Sequence, residues 1–227
     1  MTVPAPALRA RTPEALGPIL LAALGLAVAA DLGSLLAGAE LGHRVAKPLL
    51  MPLLAAYAAV RGGPRPLVIA LLFGWCGDVL LLADAEWAFL LGMGSFAAGH
   101  LCYLVLFGRG RAPAPLTALY ALLLPVTVVL LWPDLPAGLR VPVAGYALLL
   151  TVMAWRASVP GPVTAAGGAL FLVSDLLIAV EVAGWRQPPV PDFWIMFLYS
   201  AGQLLLTLGL LAAHRTAGAR EPDARPV

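Results

Sequence analysis

The sequence predicts an all-α polytopic membrane helical bundle of eight transmembrane helices, and three observations carry that expectation. Of the 227 residues, 61% are hydrophobic and only 11% charged, where soluble domains carry about 25% charge. Mean hydropathy is +0.92. Apolar runs of the length a bilayer core demands, about 17 to 25 residues, recur along the chain. The 21 prolines and 23 glycines would mark loops in a soluble protein. Membrane helices tolerate both, because neighbouring helices satisfy the freed backbone groups. A net charge of +2, thinly spread, argues against a nucleic-acid partner.

Residues 1 to 15 are rich in Pro, Ala and Arg and read as a disordered N-terminal segment, with a transmembrane domain from 16 to 213 and a disordered polar tail from 214 to 227. The first apolar run, Leu16 to Gly38, is too long for the core of a signal peptide and more spans follow, so it reads as an uncleaved helix. Span 2 covers Ala46 to Val60, span 3 Pro66 to Leu82, span 4 Trp87 to Gly108 and span 5 Ala114 to Trp132. Span 6 covers Val141 to Trp155, span 7 Val163 to Gly184 and span 8 Asp192 to Ala213. Cys76 and Cys102 fall inside spans and are expected as buried apolar side chains rather than a disulfide.

Charge orients the bundle. With the N-terminus inside, ten cations (Arg9, Arg11, Arg61, Arg65, Arg109, Arg111, Arg156, Arg215, Arg220, Arg225) fall on the inner side and four (Arg44, Lys47, Arg140, Arg186) on the outer. The positive-inside rule then puts both termini in the cytoplasm, with the acidic turn Asp84-Ala85-Glu86 outside. The composition, heavy in Ala, Arg, Gly and Pro, suggests a bacterial chain and hence the inner membrane.

Two acids stand out because a lone carboxylate deep in a bilayer costs about 3 kcal/mol on insertion scales, so it needs a partner or a wet cavity. Asp78 lies 13 residues past Arg65 and Asp175 lies 12 past Val163. On helices running the same way, both sit about 18 to 20 Å from the inner end. That matching depth is compatible with a 4+4 parallel repeat. Two poorly solvated carboxyls at one level suit acid–base chemistry, one carrying a proton and the other ionised.

Span 4 puts Phe89, Gly92, Phe96, His100 and Tyr103 on one face, and span 8 pairs Tyr199 with Gln203 four residues apart. Lys47 opens span 2 before Pro48, where it either snorkels to the interface or reaches a phosphate head group. Asp31, late in span 1, is expected at the interface, as are Glu181, Trp87, Trp132 and Trp185. The three histidines, His43, His100 and His214, have no zinc-site spacing. A Ser-His-Asp hydrolase is disfavoured because Ser174 points about 100° away from its neighbour Asp175 and no Gly-x-Ser-x-Gly elbow exists. An intramembrane aspartyl protease is disfavoured too, since Trp75 stands where its Gly-x-Gly-Asp signature needs glycine.

Taken in order, the motifs Lys47-Pro48-Leu49-Leu50-Met51-Pro52, Gly77-Asp78, Phe89-x-x-Gly92-x-x-x-Phe96-x-x-x-His100-x-x-Tyr103, Gly168-Ala169-x-Phe171-x-x-Ser174-Asp175 and Tyr199-x-x-x-Gln203 resemble the YhhN family of lysoplasmalogenases. The resemblance covers most of the chain, from span 2 to span 8. It implies an eight-helix membrane hydrolase that cleaves the vinyl ether bond of lysoplasmalogens, releasing a fatty aldehyde and glycerophosphoethanolamine or glycerophosphocholine, without a metal or other cofactor. Asp78 and Asp175 are then the catalytic pair. Lys47 would take the phosphate of the lysophospholipid, and His100, Tyr103, Ser174, Tyr199 and Gln203 would contact substrate or position water. The competing reading is a proton-coupled transporter or a lipid-binding membrane protein that uses the same acids.

Overall fold

A computed structural model describes residues 13–219, and these fold entirely as helices: α1 (Pro13–Leu36), α2 (Glu40–Val60), α3 (Arg65–Leu80), α4 (Glu86–Leu106), α5 (Ala114–Leu131), α6 (Arg140–Arg156), α7 (Pro162–Val182) and α8 (Pro191–Ala219). Five of them, α1, α4, α5, α7 and α8, are long and apolar enough to cross a bilayer by themselves. Helices α3 and α6, with 16 and 17 residues, are shorter than the roughly 20 residues a 30 Å core asks for. Helix α2 is long enough but carries Glu40, Arg44 and Lys47. The protein is an integral membrane bundle in which apolar helices shelter more polar ones.

Local chemistry sets the helix ends. Pro66, Pro115 and Pro162 lie in the first turns of α3, α5 and α7, where a missing N–H leaves no bond unmade. At the end of α2, Gly62 takes φ +73° and its neighbour Gly63 donates to the Ala58 carbonyl at 2.8 Å. A side chain at Gly62 would strain that left-handed turn.

The short connections make antiparallel neighbours. Late α1, α2's start, the α3–α4 turn and the α5–α6 turn share one end of the bundle. There Trp185 donates to Asp134 at 2.7 Å, tying the α7–α8 connection to the α5–α6 connection. At the other end, Arg156 donates to the carbonyls of Gly108 and Gly110, joining the turns α4–α5 and α6–α7.

Helices α3 and α4 pack closely because glycines face aromatic rings and backbone. A Cβ on Gly77 would lie 2.6 Å from the Phe96 ring, and one on Gly99 3.1 Å from the Ala70 carbonyl. The α7–α8 seam is tighter still: a Cβ on Gly167 would lie 2.7 Å from the Leu206 nitrogen and 2.8 Å from the Gly202 carbonyl. In lipid, close backbone approach of this kind supplies the van der Waals contact that holds helices together.

Several boundaries differ from the sequence expectation. Helix α2 begins at Glu40, six residues before Ala46, because the turn after Gly38 is only a few residues long. Helix α1 includes Pro13, and α8 continues through His214 to Ala219. The expected disorder of 1–15 and 214–227 therefore fails at those helical residues and otherwise falls on residues outside those described. Cys102 is half-buried, but Cys76 faces out of the bundle instead of into it; both are free thiols.

Candidate active site

Asp78 sits two residues before the end of α3, Asp175 in mid-α7, and both line one cavity in the half of the bundle near the α3–α4 turn. Lys47, Ser174, Tyr146 and Tyr199 line it as well, with Phe89, Met93 and Phe96 as an apolar wall. The cavity holds about 650 Å³ of empty space, its mouth included.

Each acid is braced by a tyrosine from another helix. Tyr199 on α8 donates to Asp78 Oδ2 at 2.9 Å, and Tyr146 on α6 donates to Asp175 Oδ2. Behind Tyr146 lies His100, buried on α4, its Nε2 3.1 Å from the Tyr146 oxygen. Because the Tyr146 proton points to Asp175, His100 must donate from Nε2, leaving Nδ1 as a bare lone pair. That Nδ1 is buried with no partner. The result is a directed chain from His100 through Tyr146 to Asp175. Edge-on contacts of His100 with Phe171 (5.0 Å) and of Phe171 with Tyr199 (5.3 Å) fix the rings.

The second chain supports Tyr199. Tyr103 donates to Gln203 Oε1 at 2.6 Å, which turns the Gln203 amide nitrogen toward Gly74. A Cβ at Gly74 would lie 3.1 Å from Tyr199 Oη and 3.3 Å from Gln203 Nε2. A methyl there would push both groups back by a few tenths of an ångström. Tyr103 and Gln203 thus stand one layer behind the cavity, as does His100, while Asp78, Asp175, Lys47, Ser174 and Tyr199 face it. The Ser174 hydroxyl donates to the Ile195 carbonyl at 2.9 Å and clamps α7 to α8.

Two expectations need correcting. Lys47 does not open its helix at the interface. The earlier start of α2 puts it two turns in, nine-tenths buried on the cavity wall. Among the described residues the one carboxylate–cation contact within 4.0 Å is Asp31 with His43, at 2.8 Å, so no carboxylate neutralises the Lys47 ammonium directly. Asp31 is likewise not interfacial. It is fully buried, one oxygen bonded to His43 Nδ1 and the other without a partner. His43 is one turn before Lys47 on α2, so this pair anchors α1 to the same helix that carries the lysine.

The residue that sequence reasoning missed is Tyr146. It stands alone among apolar neighbours in α6, where an aromatic reads as packing. Asp31 was discoverable, because folding the chain back at Gly38 sets residue 31 opposite the early turns of the next helix.

A membrane bundle that draws two carboxyls, each held by a tyrosine, to one cavity with a buried lysine belongs to the class of intramembrane paired-acid proteins. More particularly, this chain belongs to the YhhN family, which it matches over residues 42–210. It is 32% identical over 194 residues to a lysoplasmalogenase of Mycobacterium bovis, covering 76% of this chain and 73% of that one. It is 36% identical over 143 residues to human lysoplasmalogenase TMEM86B, covering 63% and 62%. The pig protein of the same name is 35% identical over 163 residues, covering 71% and 70%. No solved structure matches the chain.

Proposed function

We propose that this protein is a lysoplasmalogenase: it hydrolyses the vinyl ether bond of a lysophospholipid, using Asp78 and Asp175 as an acid–base pair. The observation that carries the reading is the shared cavity in which both carboxyls, each oriented by a tyrosine, face Lys47. The similarity to proteins named lysoplasmalogenase supports the same reaction.

The chemistry needs two proton carriers and little else. One carboxylic acid gives its proton to the alkene carbon remote from the ether oxygen, and the C=C electron pair forms the new C–H bond. The adjoining carbon becomes an oxocarbenium ion, stabilised by the second, ionised carboxylate in a poorly solvated site. That carboxylate takes a proton from water as the water oxygen bonds to the cation, giving a hemiacetal. The hemiacetal then returns its hydroxyl proton to the first carboxylate. The C–O bond to glycerol breaks, the leaving oxygen takes the proton held by the second, and a fatty aldehyde departs. Both acids finish as they began, and one water is consumed. A positioned acid or base contributes about 10²- to 10⁴-fold each.

Lys47, which lines the same cavity, takes the phosphate in this reading. With the ten-to-four cation bias inside, the cavity opens toward the outer half of a cell membrane and both termini are cytoplasmic. The deciding experiment incubates purified protein with matched lysolipids carrying a vinyl ether, a saturated ether or an ester. Aldehyde release from the vinyl ether alone is expected. Binding of all three without product would favour the lipid-binding alternative, and proton-coupled uptake into vesicles would favour the transporter.

A further inference from the structure

The Tyr146–Asp175 wall has a second side. Beyond it lies a cavity between α5, α6 and α7, walled by side chains such as Leu123, Leu124, Leu150, Leu172 and Leu176. Val143, Tyr146, Asp175 and Ala179 border both this cavity and the one containing Asp78 and Lys47. Leu124 and Thr151 in turn border a third hollow, which follows the α5–α6 seam to Thr117 and Trp155. From Tyr146 to Trp155 the seam runs nine residues, about 13 Å along the helix axis. The far end is closed by a hydrogen bond from Trp155 Nε1 to Thr117 Oγ1 at 2.9 Å.

We propose that this seam seats the hydrocarbon chain of a single-chain lipid, so that the α5–α6 groove measures chain length. The proposal rests on the lysoplasmalogenase reading. Three features choose the occupant. The groove borders Asp175, one of the paired acids, beside which the scissile bond of such a lipid must lie. It is predominantly apolar, which suits an alkyl chain and not a head group. The buried cation Lys47 sits in the cavity on the opposite side of the Tyr146–Asp175 wall, so a lipid whose phosphate meets Lys47 projects its chain past that wall into the seam. Helix α5, whose buried side chains are only Tyr120 and Leu131, packs chiefly against α6.

The test is a chain-length series of lysoplasmalogens assayed with wild-type protein, Ala147→Phe and Thr151→Phe. Ala147 borders the cavity next to the acids and Thr151 lies one turn deeper, about 6 Å along the helix. A blocked groove should cut kcat/KM for long chains relative to short ones by about tenfold or more, since each methylene in an apolar pocket is worth about 10- to 200-fold. The cut-off should fall at shorter chains for Ala147→Phe than for Thr151→Phe. Leu124→Ala, which widens the seam, should instead raise the relative rate on the longest or branched chains, and it serves if a Phe variant does not fold. Losses equal at every chain length, or an unmoved preference in all folded variants, would overturn the groove while leaving the reaction intact. A wild-type protein inactive on every vinyl ether lysolipid would overturn the reaction itself, and the groove with it.

Discussion

Replacing Tyr146 with Phe deletes one oxygen atom and both ends of the chain between His100 and Asp175. Asp175 loses the donor that fixes its Oδ2. His100, whose Nδ1 already has no partner, is left with neither ring nitrogen bonded. A hydrogen bond to a charged group is worth about 1.5 to 3 kcal/mol. If Tyr146 orients the acid chiefly for the transition state, kcat should fall about 13- to 160-fold, at 1.36 kcal/mol per decade, with KM little changed. The orphaned imidazole adds about 1 to 3 kcal/mol of destabilisation, the usual cost of a buried unpaired polar group. Steady-state aldehyde release and thermal unfolding in detergent read the two effects separately. Asp175→Asn should cost more turnover than Tyr146→Phe, because it removes the titrating group and not merely its orientation. His100→Leu combined with Tyr146→Phe should be markedly less than additive, since the second change acts on an interaction already gone. A folded Tyr146→Phe protein with wild-type kcat would refute the assignment of this chain to catalysis.

Asp78→Asn and Asp175→Asn should each remove nearly all turnover while at least one still binds lysolipid in a sedimentation assay; normal turnover in either would end the paired mechanism. Lys47→Met should raise KM strongly and leave kcat within a few-fold, because a remote phosphate contact contributes mainly uniform binding. An unmoved KM would leave Lys47 with no part in binding. Gly167→Ala should destabilise the protein by about 1 to 3 kcal/mol through overpacking at the α7–α8 seam, whereas Gly94→Ala, with nothing within 4 Å of its Cβ, should be neutral or slightly stabilising. Equal melting temperatures for the two would contradict the seam. Thiol labelling of a cysteine at position 85 from outside intact cells checks the orientation, and labelling only after lysis would reverse it.

What the sequence made legible follows from the solvent. In lipid the cost of an isolated carboxyl is high enough that Asp78 and Asp175 could be picked out from their surroundings alone, and the helix rise then gave their common level. Lys47 was misjudged because apolar character was used to locate the start of its helix. Helix α2 starts six residues earlier, in the polar stretch Glu40 to Arg44, whose Glu40, Leu41 and Arg44 are exposed, so hydropathy gave no sign of that first part of the helix. Tyr146 could not be found by hydropathy, for a buried tyrosine and a lipid-facing one have the same immediate neighbours in sequence. Only the approach of α6 to α7 and α4 turns its hydroxyl into a link. Cys76 went wrong for a related reason: membership of a span says nothing about which side of it faces the bundle.

The brace between Asp78 and Tyr199 joins residues 121 positions apart, and this bears on how the chain is made. At about 5 to 20 residues per second, synthesis takes roughly 6 to 24 s to pass from one to the other. Throughout that interval α3 carries its carboxyl with no tyrosine to meet it, in a helix of only 16 residues. Its companion during the wait is α4, already locked to it by Phe96 over Gly77 and by the Ser95 hydroxyl on the Phe73 carbonyl at 2.6 Å. The ribosome must deliver the last helix before the first acid has its native hydrogen-bond partner.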